Sequence, residues 1–167
     1  LTMFSKKLLN WLRSGRSEFI AFSCRALPDL AREYPGVLDS AIDSINNIPP
    51  YEADINNWVN LMFDVGPKAQ KAIPHLLRLA REKRGSLSLV LRALSHIAAG
   101  APLYARSETM AGIRDLGSVY PDQGNEVKIL LDYFVNVMTQ KIGTAIYQNT
   151  ISHIFSLPYA VFEDQQS

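Results

Sequence analysis

The sequence has one cysteine, Cys24, among its 167 residues. Without a second cysteine no internal disulfide can form, and zinc sites that use several thiolates are excluded. A chain without disulfides suits a reducing compartment, so we expect a cytoplasmic protein. Cys24 falls within an apolar row, which favours an inert core thiol over a nucleophile.

Sequence motifs that carry chemistry are also missing. The chain has neither a glycine-rich phosphate loop nor a G-x-S-x-G nucleophile motif. Its histidines, His75, His96 and His153, fall on three different predicted helices, and none has a second histidine four residues away. Metal sites need ligands that converge on one ion. We therefore expect no catalytic residue, no metal and no cofactor, and we predict that the chain is not an enzyme.

Long, purely apolar runs are absent as well. The longest uncharged stretch is 142–162, and it contains several polar residues and Pro158. Such residues are costly in hydrocarbon, so the stretch is predicted to form a buried terminal helix and not a membrane span. No run alternates apolar and polar residues between hairpin turns, as a half-buried strand does. The fold class is therefore predicted to be all-α.

The overall composition is that of an ordinary globular chain. Hydrophobic residues make up 47% and charged residues 20%, and the formal net charge is +1. A chain of this length suits one domain. We predict a single helical-repeat domain over residues 1–162 and a frayed polar tail over residues 163–167.

Apolar residues recur at helical spacing along the chain and predict about eight to nine helices. Ser17, Ser107 and Asn125 are predicted N-caps, and Pro28 is expected to kink or split its helix. The predicted helices are 4–13, 17–34 with a break at Pro28, 35–48, 51–65, 67–84, 87–99, 107–120, 126–141 and 144–157.

Residues 65–101 form the most regular part of the pattern. Two apolar stripes are separated by Gly85-Ser86, and they are bounded by Gly66-Pro67 and by Gly100. Glycine tolerates the backbone conformations of helix ends, and proline at a first helical position loses no hydrogen bond. Two facing stripes predict an α-hairpin in which Leu76 and Leu94 are mutually buried.

Over residues 66–100 this hairpin resembles a HEAT repeat, in the segments GPKAQKAIPHLLRLA and SLVLRALSHIA. The tract ALPDL at 26–30 echoes AIPHL at 72–76 with an offset of 46 residues, which favours repetition. The resemblance implies a short right-handed superhelical array of antiparallel helical hairpins, similar to HEAT and armadillo arrays. It also implies a binding scaffold and not a reaction.

Charged residues occur in four blocks of alternating sign. Residues 1–28 carry five basic and one acidic side chain, 29–66 one and seven, 67–106 eight and one, and 107–167 three and seven. In a stacked array, consecutive blocks become neighbouring surface bands. These bands either pair with one another or offer a basic band to an acidic partner.

The candidate partner-binding residues are charged side chains that point away from the predicted core: Lys71, Arg78, Arg81, Arg92, Asp39 and Asp43. The first three form a basic band on the helix from Pro67 and are predicted to face solvent. The other three are predicted to line the concave surface, where proteins of the HEAT type usually hold their ligands.

The expected function is that of a protein-protein interaction scaffold or adaptor that binds a protein partner. One alternative is a small inhibitor or immunity protein that binds a toxin. Another is a HEAT-like nucleic-acid-binding protein of the alkylpurine DNA glycosylase kind, for which Trp58, Tyr104 and the basic block 67–106 are the grounds. Two acidic blocks and a net charge of +1 argue against a nucleic-acid partner.

The C-terminal helices carry more apolar groups than one buried stripe needs. Phe134, Val137 and Met138 are therefore candidates for a homodimer or partner interface.

Overall fold

The computed structural model describes residues 2–121 and 124–156, and all regular structure in them is helical, as predicted. The α-helices are α1 (Met3–Leu12), α2 (Ser17–Ala26), α3 (Pro28–Glu33), α4 (Pro35–Asp43), α5 (Glu52–Val65), α6 (Ile73–Arg81), α7 (Leu87–Ala99), α8 (Leu103–Val119) and α9 (Gly124–Ser156). Two 3-10 segments, Ser44–Asn47 and Gly66–Ala72, follow α4 and precede α6. The predicted tail, 163–167, and residues 157–162 lie outside the described residues.

Contacts between helices run along two rows. In the first, which we call the α5 row, α2 packs on α5, α5 on α7, and α7 on α9. In the second, the α4 row, α1 packs on α4, α4 on Gly66–Ala72, and α6 on α8. The pairs α1 and α2, α6 and α7, and α8 and α9 join the two rows, and α3 packs against both α4 and α5. The apolar core lies between the rows.

Prolines decide where several helices begin. Pro28 splits the predicted helix 17–34, because α2 ends at Ala26 and Pro28 opens α3. The predicted helix 67–84 is wrong in its first part, where the chain forms the 3-10 segment Gly66–Ala72 and α6 starts only at Ile73. Pro74 has no N–H, and its ring would clash with the carbonyl group four residues earlier in a continuous α-helix.

The last two helices also differ from the prediction. Helix α8 begins at Leu103 and not at Ser107, because Pro102 is extended and its carbonyl oxygen already accepts the bond from Arg106 N. The predicted helices 126–141 and 144–157 form one helix, α9, which contains Asn125 inside its first turn. Gly143 lowers helix stability by about 1 kcal/mol but keeps both backbone hydrogen-bonding groups, so α9 continues through it.

A single buried cluster extends from α1 to α9. Leu76 and Leu94 are both fully buried in it, as predicted. Trp58 is buried as well, and its indole Nε1 donates to the carbonyl oxygen of Ala41 at 3.0 Å. One buried carboxylate, that of Asp54, accepts a hydrogen bond at 3.0 Å from the hydroxyl of Ser17.

Among the helices described, none combines the length and the apolar character needed to cross a membrane.

Candidate protein-binding surface

The acidic and basic blocks meet in a polar ladder between α4 with its 3-10 extension and the start of the hairpin. Lys71 Nζ lies 2.9 Å from Asp39 Oδ1, and Arg78 Nη2 donates to Asn46 Oδ1 at 3.4 Å. Both pairs join positions 32 residues apart. His75 lies between the two basic residues in sequence, and its imidazole interacts electrostatically with the carboxylate of Asp43. In part, therefore, the charge bands pair with one another.

The predicted basic band is only partly open to solvent. Lys71 and Arg81 are exposed, as expected, whereas Arg78 is half-buried beside His75. Arg78 Nε is buried without a hydrogen-bond partner in the described structure. The side chains of the Lys71–Asp39 pair are 71% and 50% exposed, so the ion pair contributes roughly 0–1 kcal/mol.

The three residues predicted to share a concave surface are not brought together. Asp39 and Asp43 lie on α4, which packs against α1 and Gly66–Ala72 in the α4 row. Arg92 lies on α7, in the α5 row. The contacts of α4 place it beside the first helices of the other pairs, whereas α7 is the second helix of its pair.

Arg92 belongs to a different cluster, formed with α5. Its guanidinium carbon lies 4.4 Å from the ring centroid of Phe63. The ring of His96, one turn further along α7, lies 4.5 Å from the same phenyl ring. A guanidinium over an aromatic face is held by the ring quadrupole, so the side chain of Arg92 is oriented before any partner binds.

Phe63 and Arg92 of this cluster line one side of a cavity of about 320 Å³ between α2, α5 and α7, which we call the α5 groove. The groove is lined by residues of all three helices: Cys24, Arg25, Asn57, Asn60, Phe63, Asp64 and Arg92.

Two asparagines of the groove differ in role from their neighbour Asn56. Asn56 Oδ1 accepts a hydrogen bond from Ser86 N at 2.8 Å and so fixes the start of α7. Within the part of the chain that the structure describes, the side-chain amides of Asn57 and Asn60 make no hydrogen bond and line the groove instead. Their hydrogen-bonding groups are therefore available to a ligand.

Cys24 is buried at the edge of the groove. Burial, with a smaller effect of the Asp54 carboxylate, raises the pKa of its thiol to about 12. The thiolate is the reactive form of cysteine, so this residue has the properties of the inert core thiol that was predicted.

The aromatic residues proposed for nucleic-acid binding are separated by the fold. Trp58 is 0% exposed, so its ring cannot stack on a base. Tyr104 is 69% exposed at the start of α8. The three histidines lie on α6, α7 and α9, and no group of three His, Cys, Asp or Glu side chains with metal-binding spacing occurs among the described residues.

The apolar residues proposed as a C-terminal interface are mostly part of the core. Met138 is buried, and Phe134 packs against the core cluster. Val137 is half-buried beside Ala99 of α7. Helix α9 does expose large apolar side chains, but these are different residues: Ile129, Tyr133, Ile146, Tyr147, Ile154 and Phe155.

Sequence reasoning did not identify the groove as a site. By helical spacing Asn57 and Asn60 fall on the polar side of the predicted helix 51–65 and Phe63 on its apolar side, but nothing in the sequence joins them to Arg25 and Arg92. The available signal was a line of outward polar residues on α5, followed by an outward arginine on α7, the next helix of the α5 row.

Searches of protein-family models, curated proteins and solved structures found no match to this chain. A functional conclusion therefore depends on the chemistry of its surfaces.

Proposed function

We propose that this chain is a non-enzymatic protein-binding module and that the α5 groove is its binding surface. The observation that carries the proposal is the stacking of Arg92 on Phe63, with 4.4 Å between the guanidinium carbon and the ring centroid. Arginine and aromatic side chains are enriched at protein interfaces and at their energetic centres. A guanidinium already held over a ring loses little freedom when it binds a carboxylate.

The amides of the groove suit the main chain of a partner. Asn57 and Asn60 lie three residues apart, so their side chains project from the same side of α5. Each side-chain amide can donate and accept hydrogen bonds, as a peptide group does. An extended segment has unpaired peptide groups, so it is the form of partner that this surface binds best.

The charges of the groove favour an acidic segment. Arg25 on α2 and Arg92 on α7 line it from opposite sides of α5, and Asp64 is its only acidic lining residue among those described. Complementary charge governs the choice of partner and the rate of encounter more than affinity alone. The proposed partner is therefore a protein that presents an extended segment with acidic side chains.

This surface has a competitor on the α4 row. Lys71 and Arg81 are exposed, and binding through the basic band of Lys71, Arg78 and Arg81 is the second hypothesis for the same function. Arg78 is a poor probe of that hypothesis because it packs beside His75 and Asn46. Lys71 and Arg81 are the suitable positions.

Capture from native cell lysate with three forms of the chain distinguishes the two surfaces. The forms are the unaltered chain, Arg25→Glu/Arg92→Glu and Lys71→Glu/Arg81→Glu. The double variants are matched, since each reverses two exposed basic side chains. We expect the partner to be lost with the first double variant and retained with the second. The reverse result identifies the basic band as the site, and equal capture by all three forms excludes both surfaces.

The captured protein also separates the two roles within this class. An adaptor is recovered with components of an assembly, whereas an inhibitor or immunity protein is recovered with a toxin whose activity falls on binding. A duplex-DNA mobility shift at low salt tests the nucleic-acid alternative, and we expect no shift. A shift whose salt dependence corresponds to several phosphates would instead favour a nucleic-acid partner.

A further inference from the structure

A second cavity, of about 470 Å³, lies between the end of α8 and the first turns of α9. Its walls include the ring of Tyr120 and the apolar side chains of Leu131 and Val135. Leu131 is buried, and the other two are half-buried. A volume in this range with largely apolar walls is typical of pockets for small organic molecules.

Gly117 and Tyr120 line the cavity at the C-terminal end of α8. Gly117 lines the cavity from α8, and a Cβ built there would have no heavy atom within 4 Å. Tyr120 does not swing inward to close the space, because its hydroxyl donates to the carbonyl oxygen of Ala80 at 2.8 Å. A side chain at position 117 would therefore have room to extend, and the ring of Tyr120 is held in place by its hydrogen bond.

Charged side chains from both helices line the same space. Among the described residues, Arg114 lines it from α8 and Lys128 from α9, together with one carboxylate, that of Asp132. A further cation, Lys83, lies 5.1 Å from the ring centroid of Tyr120. The part of the cavity wall that the structure describes therefore combines apolar side chains with an excess of positive charge.

We propose that this cavity binds a small monocarboxylic acid with an apolar, ring-containing body. The body fits against Tyr120, Leu131 and Val135, and the carboxylate pairs with Arg114 and Lys128. Charged hydrogen bonds of this kind are stronger than neutral ones. Asp132 opposes a second negative charge, so a monoacid is preferred to a diacid. This site shares no residue with the α5 groove, and it stands or falls independently of the proposed protein binding.

Isothermal titration calorimetry with 2-naphthoate and its neutral analogue 2-naphthamide tests the proposal on the full chain. We expect 2-naphthoate to bind about tenfold more tightly, since hydrogen bonds to a charged group are worth more than neutral ones. The variant Arg114→Gln/Lys128→Gln should lose this preference. Lys141→Gln removes one exposed charge of α9 outside the cavity, and this control should keep the preference.

A cavity-filling variant decides whether the binding occurs here. Gly117→Leu should abolish binding of both compounds while the far-ultraviolet circular dichroism spectrum stays that of the unaltered chain. If that variant loses helical signal, Val135→Phe fills the cavity from the α9 side and is used instead. Binding that survives a folded cavity-filling variant overturns the proposal. Equal affinity for the acid and the amide, or no binding of 2-naphthoate at about 1 mM, does so as well.

Discussion

Gly100 lies directly against the ring of Pro67, and a Cβ built on Gly100 would stand 2.4 Å from the Cβ of Pro67. The backbone of Gly100, with φ of −101°, is one that any residue adopts, so glycine is required here for space alone. The contact joins the end of α7 to the start of the 3-10 segment that precedes α6.

Replacing Gly100 by alanine should therefore destabilise the fold, by about 1–3 kcal/mol, because the new methyl group overlaps a proline ring that cannot change rotamer. Gly143→Ala is the control, since a Cβ there meets nothing within 4 Å. That change should stabilise α9 by about 0.5–1 kcal/mol. Urea unfolding followed by circular dichroism measures both, and equal stability of Gly100→Ala and the unaltered chain would contradict the close approach.

Trp58→Phe should lower the free energy of unfolding by about 1–3 kcal/mol. The variant loses the hydrogen bond from Nε1 to Ala41 and leaves a cavity where the larger ring was. Trp11→Phe serves as the comparison, because Trp11 is half-buried and stacks on Phe19 at the periphery of the core. Trp11→Phe should lower the free energy of unfolding less than Trp58→Phe does. The opposite order would place Trp58 near the surface.

Leu76→Ala and Leu94→Ala should each cost about 2–5 kcal/mol, the range for removing a large buried aliphatic side chain. Both leucines are 0% exposed. Leu103→Ala is the reference, since Leu103 is 51% exposed and its truncation should change stability by only about 0.5 kcal/mol. The melting temperatures of the three variants rank their effects on stability. An unchanged melting temperature for Leu76→Ala or Leu94→Ala would show that the replaced leucine is not in the core.

His75 should make the fold less stable as the pH falls. Burial and the neighbouring Arg78 lower the pKa of its imidazole, although Asp43 acts in the opposite direction. Between the ordinary histidine pKa near 6.5 and the lower folded value, the unfolded chain binds the proton first, so stability declines with falling pH. Unfolding free energies measured at pH 7.5 and 5.5 should differ less in His75→Gln than in the unaltered chain.

The matched control for that experiment is His153→Gln, because His153 is exposed on α9. Its pH dependence should equal that of the unaltered chain. If His75→Gln also leaves the pH dependence unchanged, the imidazole is not kept neutral by its surroundings.

Cys24 should resist alkylation by iodoacetamide at pH 8 while the chain is folded. Its thiol has a pKa of about 12 because it is buried, so the thiolate that reacts is scarce. Mass spectrometry should show modification only after denaturant is added. Rapid labelling of the folded chain would mean that the wall of the α5 groove opens.

The core was largely predictable from the sequence because helical burial has a short-range signature. The apolar spacing identified Leu76 and Leu94 as buried, and the glycines and prolines around 66–67 and 100 correctly marked the ends of helices. Where prediction failed, competing local signals were involved. Ser107 has the chemistry of an N-cap, but Pro102 lies closer to the actual start of α8.

The candidate site was not predictable in the same way, since it depends on which helices become neighbours. Asp39 has the periodicity of a solvent-facing residue, and only the packing of α4 on Gly66–Ala72 brings Lys71 to it. Phe63 lies at the edge of an apolar stripe, where periodicity does not distinguish a core residue from one that supports Arg92. Long-range placement of this kind leaves no trace in the spacing of a single helix.

The constant separation of 32 residues in the polar ladder bears on how the chain folds. The Lys71–Asp39 and Arg78–Asn46 contacts each close a loop of the same moderate length. Neither contact requires the two ends of the chain to come together first. The entropic cost of loop closure rises only slowly with length, and folding is faster when contacts are local. We expect folding to begin at whichever neighbouring pair forms first, with α5 and α7 favoured because they pack directly against each other, and then to spread outward toward α1 and α9.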